Sequence, residues 1–132
     1  DEYGYTIMTD VALAYSRAGN QDRFDEAMHF IEQHTARLDE HGIDNIYLSV
    51  NRAMDNALVE DLDAAIAYLQ DAAGRGWTSQ WVIRDVQPAL AVLADHPRYQ
   101  EIEVALLDNM NRNREIVGLP PLNANYEVEP VL

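Results

Sequence analysis

Residues 24–28 read FDEAM and residues 62–66 read LDAAI, so that Phe24, Ala27, Met28 and Ile31 recur as Leu62, Ala65, Ile66 and Leu69 at a constant offset of 38 residues. Apolar positions three and four apart define an amphipathic helix. A helix written twice in one chain, each copy with an apolar stripe it cannot bury alone, must fold by packing like units side by side. No strand pattern competes. Only YEVEPV at 126–131 alternates, and its Pro130 confines such a segment to an edge. The expected fold class is all-α.

The rest of the chain divides around these two segments. TIMTDVALAYSRA at 6–18 places Ile7, Val11, Ala14 with Tyr15, and Ala18 along one helical face, and Gly19-Asn20 supplies its stop. The second helix is expected over 23–41, with Asp22, Asp25 and Glu26 at the end where the helix dipole favours negative charge. A third over 44–58 opens on Asp44-Asn45 and turns Ile46, Val50, Ala53 and Ala57 to one side. Glu60-Asp61 caps a fourth over 62–75, which Gly74 and Gly76 end. Beyond it the spacing predicts short helices or turns around 79–84 and 88–94, a final helix over 97–117 and an extended tail over 119–132. Trp77 and Trp81 fall where large aromatic side chains would fill the core between the paired helices and the closing segment.

Length and charge bound the function classes. At 132 residues and 15.0 kDa the chain suits one domain with a core of its own. The absence of cysteine excludes disulfides and thiolate metal sites without fixing a compartment, so localisation stays open. Nine arginines and no lysine stand against 23 acidic residues, a formal net charge of −14. Such a surface repels phosphate backbones and anionic membranes, which predicts no nucleic-acid partner and no direct membrane contact. The longest apolar run, PALAVLA at 88–94, is far below the roughly 20 residues that a spanning helix needs. The chain is therefore expected to be soluble. Its start at Asp1-Glu2, without methionine, is read as the mark of a processed protein or of a domain cut from a longer one.

Small residues at regular places in both helix pairs resemble the tetratricopeptide repeat. Ala12 stands at the small position of a first helix, Tyr15 at the aromatic position, Gly19 at the turn and Ala27 at the small position of the second helix. In the second pair Ala53 and Ala65 keep the small positions, while Asn56 and Glu60 replace the aromatic residue and the turn glycine. The stretch 85–122, with QPALAVLADHPRYQEI and VGLPPL, looks like the C-terminal cap of bacterial proteins that carry such repeats, many of them multidomain regulators. The resemblance implies a right-handed α-α superhelix in a single domain over 1–122: repeat one at 6–41, a degenerate repeat two at 44–76 and cap helices at 77–118. It also implies a non-catalytic sensory or scaffolding module whose first helices line a groove. By that analogy the groove candidates are Thr9, Leu13 and Arg17 with Tyr47, Val50 and Met54. The expected partner is a protein or peptide, with Arg17 clamping a carboxylate, and pairing of exposed ends into a homodimer is the rival expectation.

Catalytic and metal readings find less support in the residues. Glu26-x-x-His29 has di-iron spacing, but the second copy that such a site needs is replaced by Ala64 and Ala67. His34 and His41 lie late in a helix, where they suit the negative end of its dipole, and His96 before Pro97 has no legible nucleophile beside it. VEDLD at 59–63 lacks the glycine and terminal glutamate of a calcium loop, and GRG at 74–76 ends a helix where a phosphate loop would begin one. No cofactor, no metal site and no catalytic residue is expected. A metal-binding or enzyme-accessory helical domain is the alternative.

Overall fold

The computed structural model describes the backbone of residues 2–78 and 87–128, and the side chains from Ile7 onward within those ranges. The fold is all-helical: α1 (Glu2–Arg17), α2 (Gln21–Glu40), α3 (Ile46–Leu58), α4 (Leu62–Gly74), a 3-10 helix (Pro88–Asp95) and α5 (Tyr99–Ile116). Among the described residues no strand forms, and β pairing is limited to one isolated bridge between Leu122 and Val128. The short helix or turn expected around 79–84, Trp81 included, lies outside the described residues. Trp77 is buried.

Asparagine and aspartate start the helices as short polar caps do, by giving a side-chain oxygen to an amide that lacks an intrahelical acceptor. Asn20 accepts from the Arg23 amide at 3.3 Å, Asn45 from Leu48 at 2.9 Å and Asp61 from Ala64 at 3.2 Å. The α-helices also stop alike. Each of the five closes with an amide bonded five residues back, as in Asn20 to Tyr15, Ile43 to Leu38, Asp61 to Asn56, Trp77 to Ala72 and Leu119 to Arg114. This closure puts one residue in the left-handed region, glycine at four of the ends and Glu60, φ 62°, at the fifth. A Cβ in that region costs about 1–2 kcal/mol. Glu60→Gly is therefore expected to raise stability by about 0.5–1 kcal/mol, the remainder being lost to the looser unfolded chain. A thermal melt that falls on this substitution would contradict the account.

Packing follows the small residues. The most extensive helix pairs are α3 with α4 and α1 with α2, and α3 also touches α1. Ala12, Ala53 and Ala65 are at 0 % exposure and Ala27 at 3 %, which lets backbones approach where the helices meet. Ile31, Met54, Ile66 and Leu69 fill the space around them. The 3-10 helix buries Ala89, Leu90 and Leu93 in the same core, packs foremost on α3 and touches α1, α4 and α5 as well.

Polar bonds fix the later elements. Buried Asn109 of α5 donates through Nδ2 to the Ala73 carbonyl at 2.7 Å and the Trp77 carbonyl at 2.9 Å, tying α5 to the end of α4. Asn109→Ala leaves both carbonyls without this donor and is expected to cost about 2 kcal/mol, read as a lower urea midpoint at unchanged slope. Residues 119–128 lie against α5 instead of running free. Asn111 holds the main chain of Leu122 by two bonds, its Nδ2 donating to the carbonyl at 3.0 Å and its Oδ1 accepting from the amide at 2.7 Å. Arg114 Nε donates to the Pro120 carbonyl at 2.7 Å.

Candidate functional site

The six groove candidates do not share one open surface. Thr9, Val50 and Met54 are buried, Leu13 is half-buried, and Arg17 and Tyr47 are exposed. The physical reason is the 3-10 helix: its apolar side chains need cover, and α1 with α3 supplies part of it. The side of the first helices on which a groove was expected is thus occupied by the chain itself.

An open groove of about 440 Å³ runs instead between α2 and α3, with Tyr68 of α4 at one side. From α2 come Met28, Ile31, Glu32, Thr35 and Asp39, spaced by three and four along one face. From α3 come Arg52, Asp55 and Asn56, and from its C-cap Val59, by the same periodicity. Arg52 bonds Asp39 across the groove and sets its guanidinium 5.8 Å from the centroid of the Tyr68 ring. That geometry combines a carboxylate partner on one side with an aromatic face on the other. Thr35 Oγ1 is shut off from solvent and has no hydrogen-bond partner among the described residues, not even the carbonyl one turn back that helical threonines commonly use. Asp55 Oδ1 is likewise buried.

Other polar clusters join elements. Ser49 donates to Asp71 Oδ2 at 2.6 Å, and Arg75 reaches both Asp71 and Asp44. The Ser49 hydroxyl, with help from Arg75, holds the Asp71 carboxyl below its ordinary range. Arg98 bonds Gln70, and His96 Nε2 lies 3.0 Å from Asp63 Oδ1 while its Nδ1 accepts from the Arg98 amide. A slightly smaller cleft of about 390 Å³ between α4 and α5 is bordered by Gln70, Glu101 and Arg112.

The histidines are dispersed. His29 is exposed and pairs with Gln33, His41 caps the last turn of α2 through the Arg37 carbonyl, and burial lowers the affinity of His34 for a proton. Among the described residues no three His, Asp or Glu side chains gather as metal ligands. No helix among them is long and apolar enough to cross a membrane. Compared with models of known families, with curated proteins and with solved structures, the chain matches none.

The open groove is not among the positions the sequence singles out: the periodicity of α2 does not set Thr35 apart, and Asp39 pairs with Arg52 from 13 residues away. Opposite charges that face each other across consecutive helices are the signal that was there to find.

Proposed function

We propose that this chain is a non-catalytic protein-interaction module, built of helical hairpins stacked in the manner of tetratricopeptide repeats and belonging to a larger bacterial regulatory protein. The observation that carries the reading is the groove between α2 and α3: it is open to solvent, lined from three helices, and mixes apolar floor with charged walls. Such lining suits a peptide, because apolar residues supply adhesion while a few polar groups fix orientation. Buried alanines where helices meet, two tight hairpins and a closing helix are what a stacked-repeat arrangement requires. With the α1 and α3 face filled from within, the docking surface moves to the α2 side.

Panning a displayed library of random 12-residue peptides against the purified domain tests this. Enriched peptides are expected to lose binding on Val59→Arg, a change at an exposed position of the groove wall. No enrichment, or enrichment indifferent to that substitution, would overturn the reading.

A further inference from the structure

We infer that the outer face of α1 docks on the same face of a second copy of the chain, the two helices lying antiparallel about a two-fold axis. Ile7, Val11, Ala14 and Ala18 follow one another at steps of four, three and four residues, the spacing by which paired helices form a seam. Thr9 and Ala12, both at 0 % exposure, mark the side of α1 that meets the core, and at 3.6 residues per turn the stripe lies on the opposite side. Ile7 is 60 % exposed, Ala14 and Ala18 are exposed, and Val11 is half-buried. Ala18 keeps to the helical path, its amide bonding the Ala14 carbonyl at 3.0 Å. A surface helix ordinarily turns polar residues to solvent, whereas α1 carries an apolar stripe there as well.

The order of sizes and charges along α1 says what fits this stripe. Bulky Ile7 and Val11 stand at one end, small Ala14 and Ala18 at the other. A second α1 running the opposite way sets Ile7 against Ala18 of the second copy and Val11 against Ala14 of the second copy. One register makes both pairings, because the two pairs are centred on the same point of the helix, and the two-fold axis repeats them. A parallel copy would set Ile7 against Ile7 and leave a gap between the alanines. The antiparallel register also brings Asp10, on one flank of the stripe, to Arg17 of the second copy, and Arg17 to Asp10 of the second copy. Both are exposed, and neither side chain makes an ion pair or hydrogen bond among the described residues. Two turns apart on one helix, they are too distant to pair within a single copy. On the other flank half-buried Met8 meets Tyr15 of the second copy, thioether against aromatic ring. The seam spans only about three turns and both copies carry −14, so the dimer exchanges readily with monomer. No residue of α1 lines the α2–α3 groove, so the two surfaces are separate.

Sedimentation equilibrium of the purified chain is run at about 0.15 M salt, where a Debye length of about 8 Å screens the mutual repulsion. It is expected to show monomers and dimers and nothing larger, since a two-fold contact closes on itself. Asp10→Arg and Arg17→Asp should each weaken the dimer by about tenfold or more, because either change sets like charges face to face at both ends of the seam. An equal mixture of the two variants should dimerise again, since the mixed pair joins opposite charges at both ends. Glu115→Arg, the same change of charge on α5, should alter the association by less than about twofold. A monomer up to submillimolar concentration would overturn the inference. So would assemblies larger than two, a mixture no more dimeric than its components, or a loss on Glu115→Arg as large as on Asp10→Arg. Peptide panning probes the groove and not this face, so the interaction-module reading and the dimer fail separately.

Discussion

Ala65→Leu is expected to cost the domain about 3 kcal/mol of stability, at the upper end of what overpacking a well-filled core does. Ala65 is at 0 % exposure on α4, within the most extensive helix pair of the fold, and the neighbouring core residues Ile66 and Leu69 are also at 0 %. Interiors this closely packed have little room for three more carbons, so the added side chain must force α3 and α4 apart or leave its preferred rotamer. The natural comparison is Ala67→Leu, two residues on and exposed, which should stay within about 0.5 kcal/mol. Urea unfolding of both variants decides the matter. Equal midpoints would mean that α4 is not held by close approach at Ala65, and the case for stacked hairpins would lose its physical basis.

The 3-10 helix is the second sensitive place. Leu93 has 0 % exposure, and cutting it to alanine removes a branched side chain from a point where the segment meets the common core. The expected cost is about 3 kcal/mol, the transfer of the lost carbons plus the cavity left behind. Val92, its neighbour, is 47 % exposed, and Val92→Ala should be close to neutral. The contrast carries information about function as well as stability. A 3-10 run of eight residues is long for that geometry and is held by its side chains more than by its own hydrogen bonds. If Leu93→Ala proved as mild as Val92→Ala, the segment would be a weakly held occupant of the α1 and α3 face, and Val50 and Met54 would again become candidates for a ligand.

The helices were legible because periodicity is a local property: apolar positions three and four apart, with Asn45 and Asp61 in front, specify α3 and α4 without reference to the rest of the chain. Helix ends were legible where glycine marks them. At Glu60 the residue type gave no sign, and only its place at the turn glycine of the repeat pattern hinted at the left-handed residue, which the paired bonds of Glu60 to Ala57 and Asp61 to Asn56 enforce and a glutamate tolerates at a cost. The docking of the 3-10 helix was not legible, because PALAVLA is apolar on most sides and fits several partners equally. For the same reason the open groove stayed hidden. Thr35, Arg52, Asp55 and Tyr68 meet only once α2, α3 and α4 are packed, and no spacing within one helix announces the meeting.

Asn111 grips Leu122 by its amide and carbonyl, atoms that every residue except proline presents alike. Residues 119–128 are thus fastened in a way that is blind to the letter written at 122, and almost any replacement there leaves the grip intact. The reverse does not hold. Exchanging the one carboxamide at 111 for a carboxylate turns its giving arm into a second receiver, sets oxygen against oxygen at the Leu122 carbonyl, and leaves this stretch to the Leu122 amide and to the bond from Arg114.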